Sequence, residues 1–119
     1  MNAGVMKINL DFGEVFMPGC LFDTAIGRRL YEQLPVRVCL QTWGDESYGS
    51  IGVDLGEENP VPDIPAGGIA YTRQGNYLCF FYGQRPAWPV EHVGEILNGE
   101  WNRLRSLKPK AVYITELSD

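Results

Sequence analysis

The sequence predicts a mostly β protein: a closed antiparallel barrel of about eight strands with two short helices. Short segments in which apolar and polar residues alternate recur along the chain. Turn-forming residues separate them, and the chain holds 14 Gly and 8 Pro. An open sheet of such strands would expose its edges, and closure into a barrel removes them.

The first two strands are expected to form a hairpin. Residues 7–12 alternate strictly between apolar and polar side chains, as a half-buried strand does. Residues 14–22 then return, and we expect this second strand to be interrupted at Pro18 because proline has no amide hydrogen to donate.

A short helix should follow this hairpin. Asp23 or Thr24 can cap its first turn, and apolar residues recur at helical spacing as far as about Leu34. Pro35 ends the helix. Gly27 lies within it and weakens it relative to alanine, so its stability must come from packing on the sheet.

The middle of the chain predicts a second hairpin and a long connection. Residues 36–43 form one strand, Gly44 and Asp45 form the turn, and the returning strand alternates over 46–55. Residues 56–68 contain three Pro and three Gly without periodicity, which predicts a long loop.

A third hairpin is predicted from strands at 69–74 and 77–82, joined by Gly75 and Asn76 as a two-residue turn. The second strand, YLCFFY, is apolar on both faces. This is typical of a central strand that is covered on each side.

This two-residue turn would place Tyr71 opposite Phe80, with Tyr82 on the same face. The result is an aromatic face. Such a face is either part of the core or a platform for a ligand, and the sequence leaves both possibilities open.

The last third of the chain completes the barrel. Residues 83–89 form a rigid Pro-rich connection, and 90–97 hold a short strand. Apolar residues at helical spacing over 100–107 predict the second helix, and 111–117 form the closing strand. We expect one small helix to plug each end of the barrel.

The composition predicts one domain over residues 1–119 that needs neither metal nor cofactor. Apolar residues make up 45% of the chain and charged residues 21%, as in ordinary globular proteins. The three Cys are an odd number with no C-x-x-C pair, and together with a single His they do not have the spacing of a Cys/His zinc site. Cys20, Cys39 and Cys79 are therefore expected to be buried free thiols.

The net charge of −5 is unfavourable for a nucleic-acid partner, which requires clustered Lys and Arg. The N-terminal segment lacks the pattern of a secretory signal, and no apolar run is long enough to span a membrane. We therefore expect a cytoplasmic protein with neither a nucleic-acid nor a membrane partner. The oligomeric state stays open.

Two linked motifs carry a resemblance to a known family. The segment TWGDESYGSIGVDLGEENP over 42–60 is followed by AGGIAYTRQGNYLCFFYG over 66–83 and HVGEILNG over 92–99. In this order and at this spacing they resemble the small bacterial and archaeal cyclophilin-like proteins of unknown function. The resemblance covers nearly the whole chain and implies a reduced cyclophilin-type barrel.

True cyclophilins isomerise X-Pro bonds with a constellation of Arg, Phe, Gln, Trp and His that includes an F-H-R run. That run is absent here, and the only histidine, His92, lies late in the chain after Glu91. The catalytic arginine has no counterpart position. The resemblance therefore implies the shape of a cyclophilin and not its catalytic residues.

Six residues are the candidate ligand-binding set, and no catalytic residue is predicted. They belong to the two motif hairpins and the following Pro-rich segment, where aromatic and polar side chains concentrate. Each has a structural alternative: capping a barrel end, filling the core or, for the arginine, a surface ion pair. The set is Trp43, Glu46, Tyr48, Tyr71, Tyr82 and Arg85.

The leading functional hypothesis is a non-enzymatic module that binds a small organic ligand or a peptide. One alternative is a weak or divergent peptidyl-prolyl isomerase, which the fold resemblance alone suggests. A second is a scaffold that acts through self-association, for which an exposed apolar patch would be the indication.

Overall fold

The computed structural model describes residues 5–117, which form one nine-stranded antiparallel sheet curled into a nearly closed barrel. The predicted domain 1–119 also includes 1–4 and 118–119, which lie outside the described residues. The strands are β1 (Val5–Asp11), β2 (Phe16–Phe22), β3 (Val36–Cys39), β4 (Gln41–Thr42), β5 (Glu46–Ser50), β6 (Gly68–Thr72), β7 (Tyr77–Phe81), β8 (Glu91–Ile96) and β9 (Ala111–Glu116). The helices are α1 (Ala25–Glu32) and α2 (Leu104–Leu107), the second preceded by a 3₁₀ turn over Glu100–Arg103.

The barrel closes through the segment that contains β3 and β4. The strand order is β3-β9-β1-β2-β8-β6-β7-β5-β4, with antiparallel pairing throughout. β3 and β4 are separated by Leu40 alone, and they pair with β9 and β5 respectively. The two ends of the sheet are therefore joined by one continuous chain segment, and the prediction of an antiparallel barrel is confirmed.

The barrel interior is filled by the inward faces of the strands. Phe12 and Phe80 meet there edge to face, with ring centroids 5.7 Å apart. Burying this apolar surface is the main driving force for folding. The fully buried members of this cluster include Ile8, Leu10, Met17, Leu21, Leu30, Val38, Tyr71, Leu78, Phe80, Val93, Leu104 and Val112.

Helix α1 begins where Thr24 was expected to cap it. The Thr24 hydroxyl accepts a hydrogen bond from the Gly27 amide at 3.0 Å. A side chain at Gly27 would collide with the carbonyl of Phe22, so close packing on β2 requires glycine here. The helix ends at Glu32, two residues before the predicted end. None of the helices in 5–117 is long and apolar enough to span a membrane.

The third hairpin differs from the predicted register by two residues. Thr72 pairs with Tyr77 and Tyr71 with Leu78, so the predicted pairing of Tyr71 with Phe80 is wrong. The turn has four residues, because Thr72 accepts a hydrogen bond from the Gln74 amide and so ends the ladder early. A shift of two leaves every side chain on its predicted face, since strands alternate with period two.

The strand predicted over 46–55 is also too long. β5 ends at Ser50, where the Ile51 amide donates to the Asn76 carbonyl at 2.9 Å. The chain then leaves the sheet, and the Leu55 amide donates to the Tyr71 hydroxyl at 2.8 Å. The Tyr71 hydroxyl thus accepts the hydrogen bond that the backbone of a neighbouring strand would otherwise accept.

The predicted interruption at Pro18 does not occur, and β2 is continuous. Pro18 pairs with Asn9 on β1, and on its other side its carbonyl accepts from Leu97 at 2.9 Å. The pairing of β2 with β8 ends where Gly19 lies opposite Ile96. The amide hydrogen that Pro18 lacks would therefore face only the end of β8.

Two further predictions need correction in the strand predicted over 36–43. It is divided at Leu40, whose amide donates to the Lys110 carbonyl at 2.8 Å. Cys39 is exposed, whereas Cys20 and Cys79 are buried thiols as expected. Val38 faces the interior, so strand alternation turns Cys39 outward.

The long loop between β5 and β6 is held by a buried carboxylate on β8. Glu91 is 7% exposed and accepts hydrogen bonds from the Glu58 and Asn59 amides, each at 2.8 Å. Val61 and Val90 form an isolated antiparallel bridge beside it. The loop is therefore ordered by two kinds of contact with β8.

We expect Glu91→Ala to lower the free energy of unfolding by about 2 kcal/mol or more. The change removes two charge-assisted hydrogen bonds and leaves the part-buried amides of Glu58 and Asn59 without their acceptor. Urea denaturation measures the loss. Glu95→Ala is the control, because Glu95 lies on the same strand but is exposed; equal losses for the two variants would contradict this role of Glu91.

Candidate functional site

A cavity lies on the outer face of the sheet, over β5, β6 and β7. Its volume is about 360 Å³, within the range of small-molecule sites. Its lining is mainly aromatic and apolar. The lining residues are Trp43, Glu46, Tyr48, Thr72, Tyr77, Cys79, Phe81, Pro86, Ala87, Trp88 and Val90; we call this the outer pocket.

The floor of the outer pocket is formed by the outward side chains of β7. Leu78 and Phe80 point into the barrel, so Tyr77, Cys79 and Phe81 point away from it. Cys79 and Phe81 are nevertheless only 4% and 2% exposed. This outer face is therefore covered by a second layer of chain.

Trp88 forms one wall of the pocket. Its indole N–H donates to the Thr72 hydroxyl at 3.0 Å, which fixes the segment after β7 onto β6. Pro86 and Pro89 flank this position and restrict the backbone around it. The wall is thus built in place before any ligand binds.

Trp43 forms the opposite side, at the turn between β4 and β5. The Trp43 and Glu46 backbones exchange two hydrogen bonds at 2.8 and 3.1 Å, which makes this a tight two-residue turn. Gly44 has a φ of +60°, and a side chain there would collide with Gln84. Gln84 accepts from the Asp45 amide at 2.7 Å. The indole of Trp43 remains 53% exposed.

Glu46 is the acidic group of the pocket, and it is only 6% exposed. Burial raises the pKa of its carboxyl group above the ordinary value, while hydrogen bonds from Cys79 and Gln84 oppose this rise. Burial also raises the pKa of the Cys79 thiol, and the Glu46 charge raises it further. Cys79 is therefore a neutral hydrogen-bond donor and not a reactive thiolate.

The outer pocket can offer a ligand a mostly apolar surface and one carboxyl group. Several aromatic rings surround one carboxyl group, and within residues 5–117 no three His, Cys, Asp or Glu side chains are placed to hold a metal ion. A flat or apolar ligand would bury its surface against the rings, and Glu46 would fix its orientation.

The structure brings together three of the six predicted site residues. Trp43, Glu46 and Tyr48 all line the outer pocket, because residues 46 and 48 share the outward face of β5. Tyr48 also meets Tyr77 edge to face at 5.2 Å.

Tyr71 and Tyr82 are on the opposite side of the sheet, inside the barrel. The Tyr71 hydroxyl accepts from the Leu55 amide and donates to Asn76 at 2.8 Å. The Tyr82 hydroxyl lies 3.0 Å from that of Ser47. These two tyrosines do not share a cavity with the other three predicted residues; Tyr71 connects the barrel interior to the loop after β5, and Tyr82 contacts β5 within the barrel.

Arg85 lies outside the pocket, although the residues that follow it form the pocket wall. Its guanidinium is 2.6 Å from the Asp63 carboxylate, and both side chains are largely exposed. The surface ion pair that the sequence left open as an alternative is thus present.

Sequence reasoning missed most of the pocket floor and wall. The signal for the floor was that YLCFFY is apolar on both faces, because the apolar face opposite the core had to be covered by another part of the chain. The signal for the wall was the tryptophan between two prolines. Neither indicated that the two would meet, because that depends on how residues 83–90 fold back.

A match to a family model identifies the family of this chain. The family model described as cyclophilin-like matches residues 6–115. The chain belongs to the cyclophilin-like family. Among curated proteins, none matches this cyclophilin-like chain.

Two solved structures share the fold. The hypothetical protein AF2241 from Archaeoglobus fulgidus has a TM-score of 0.78 at 24% identity, over 98% of this chain and 100% of that one. McbB, in complex with tryptophan, has a TM-score of 0.77 at 16% identity, over 94% of this chain and 45% of that one. The cyclophilin-like chain thus spans under half of McbB.

The single histidine of this cyclophilin-like chain lies apart from the pocket lining. The His92 ring meets Phe22 edge to face at 4.9 Å, and its buried Nε2 atom has no hydrogen-bond partner among the described residues. Burial lowers the pKa of this imidazole below its ordinary value of 6.5. The folded protein therefore favours neutral His92.

We expect the stability of the protein to depend on pH through His92. Well above pH 6.5 the imidazole is neutral in both the folded and the unfolded state. As the pH falls through 6.5, the unfolded chain takes up the proton first. The free energy of unfolding therefore decreases until the pH is below the pKa of His92 in the folded state. Urea denaturation between pH 5 and 8 measures this slope. A His92→Phe variant should lose this contribution, and NMR titration of the sole imidazole should give a midpoint below 6.5; a midpoint at or above 6.5 would contradict it.

Proposed function

We propose that this protein is a non-enzymatic module that binds a small organic ligand in the outer pocket. The observation that carries the proposal is the pocket itself, in which aromatic residues surround one buried carboxyl group. Concave, mostly apolar sites with few polar groups are typical of small-molecule recognition.

The size of the pocket favours one small molecule, or a single side chain of a peptide, over an extended peptide. At about 360 Å³ it is near the lower end of ligand sites. The rings of Trp43 and Trp88 supply large apolar contact areas at little entropic cost, and the second is already fixed by Thr72.

One structural neighbour, McbB, was solved with an aromatic amino acid. Its structure contains tryptophan, and it shares this fold. At 16% identity this likeness shows the fold alone, so the ligand class for this chain rests on the pocket residues.

We expect a neutral aromatic probe, 2-phenylethanol, to bind and to shift two of the three indole N–H signals in ¹H–¹⁵N spectra. Trp43 and Trp88 line the pocket, whereas Trp101 packs against the barrel core and serves as an internal control. Trp88→Ala should weaken binding about tenfold, read from the Trp43 signal, because it removes a wall of the pocket.

Tyr113→Ala is the matched control, since it removes an exposed aromatic ring from the outer surface of β9 and should leave the affinity unchanged. If the probe produced no saturable shift, or shifted all three indoles alike, the proposed pocket would not be the binding site.

The non-enzymatic part of the proposal has its own test. We expect a coupled-protease assay with X-Pro peptides to show no acceleration over the spontaneous rate, because the arginine and F-H-R run of active cyclophilins have no counterpart here. Acceleration that disappeared in the Trp88→Ala variant would establish catalysis in the outer pocket instead.

A further inference from the structure

The charge distribution of the outer pocket is one-sided. Of the residues that line it, Glu46 is the one with a carboxyl group. No lysine, arginine or histidine belongs to the lining. A ligand in this pocket therefore meets aromatic rings and one acid.

Two arginines beside segments that line the pocket already have other partners. Arg105 contacts the Asp45 carboxylate at 3.4 Å and donates to the Tyr82 carbonyl at 2.8 Å. Arg85 on the segment after β7 pairs with Asp63. In the described part of the chain, Glu46 belongs to none of the ion pairs, and its hydrogen-bond partners are the neutral Cys79 and Gln84 side chains.

We propose that the ligand of the outer pocket is a protonated organic amine on an aromatic or short apolar body, with Glu46 as its counter-ion. The inference rests on the proposed function and adds the charge of the ligand. An ammonium group would supply the opposite charge that a buried carboxylate requires. Aromatic rings also attract cations, most strongly tryptophan, and two tryptophans line this pocket.

Binding should be linked to the ionisation of Glu46. Where the empty pocket holds a protonated carboxyl, the amine arrives as the ammonium ion and Glu46 releases its proton to solvent, so that charge and atoms balance. The groups that face Glu46 are Tyr48 on β5, Cys79 on β7 and Gln84 on the following segment, while Asp45 at the turn is paired with Arg105. Glu46 is thus the group whose titration should govern affinity.

Three probes of similar shape separate charge from aromatic contact. Phenethylamine is a cation below about pH 9, as its pKa is near that of lysine; 2-phenylethanol is neutral and 3-phenylpropionate is an anion. At pH 7.5 we expect the amine to bind at least tenfold more tightly than the alcohol, and the acid to bind more weakly than both. Titration calorimetry or the indole N–H shifts measure the three affinities.

Glu46→Gln keeps the shape of the side chain and removes its charge. In this variant we expect the amine to lose its advantage and to bind within about twofold of the alcohol. Thermal unfolding verifies that the variant is folded. The wild-type protein gives an independent arm: the affinity for the amine should rise with pH as Glu46 ionises, whereas the affinity for the alcohol should not rise.

The outcomes distinguish this inference from the proposed function. Equal binding of all three probes in the pocket, or an amine affinity that does not change with pH or in Glu46→Gln, would overturn the role of Glu46 and leave the aromatic pocket intact. If none of the probes bound, the proposed function itself would fail.

Discussion

The structure depends on one strand that is buried on both faces. The inward side chains of β7, such as Phe80, fill the barrel, and its outward side chains, such as Phe81, are equally buried. In a small antiparallel barrel the outer face commonly meets water and carries polar residues. Here it carries Cys79 and Phe81, so the fold must provide a second layer above the sheet. The chain uses the segments before β6 and after β7 for this purpose.

The second layer is held mainly by side chains, because most of it lies outside the strand ladders. Trp88 is tied to Thr72, and Gln84 is tied to the Asp45 amide. Each contact joins the covering chain to a residue of the barrel or of a tight turn. The outer pocket is the space that this layer leaves open, and its walls are fixed by contacts that serve the fold. Such a pre-formed site loses little entropy when a ligand binds.

Period-two alternation allowed the faces of the strands to be predicted, and errors of register did not change them. Tyr71 pairs with Leu78 and not with Phe80, yet it lies on the predicted face because the error was two residues. Asp23 or Thr24 was predicted to cap helix α1, and Thr24 is the residue that does so, since capping is a local interaction. Local interactions could not predict the position of Leu55, because its amide donates to the Tyr71 hydroxyl, sixteen residues further along the chain.

The candidate site was predicted only in part for the same reason. Trp43, Glu46 and Tyr48 belong to one hairpin, so their proximity follows from a tight turn and a single strand face. Trp88 is far from them in sequence, and its position depends on the path of the covering segment. Tyr71 on β6 and Tyr82 directly after β7 belong to the right hairpin but lie on its inner face. A sequence pattern predicts on which face of a strand each side chain lies. It does not predict which face a loop distant in sequence will cover.

The two buried glutamates of the described chain show what distinguishes a structural acid from a site acid. Glu91 accepts two backbone amides at 2.8 Å, so its negative charge is compensated by donors that the fold itself must satisfy. Glu46 has a thiol and a side-chain amide as neighbours, and its pKa is raised by burial. Charge-assisted hydrogen bonds from the loop between β5 and β6 stabilise the Glu91 carboxylate. Glu46 lies where desolvation disfavours its charged form, and an apolar residue of similar size would remove that cost. A carboxyl group at such a position, with an open cavity beside it, supports the proposal that a ligand supplies the opposite charge.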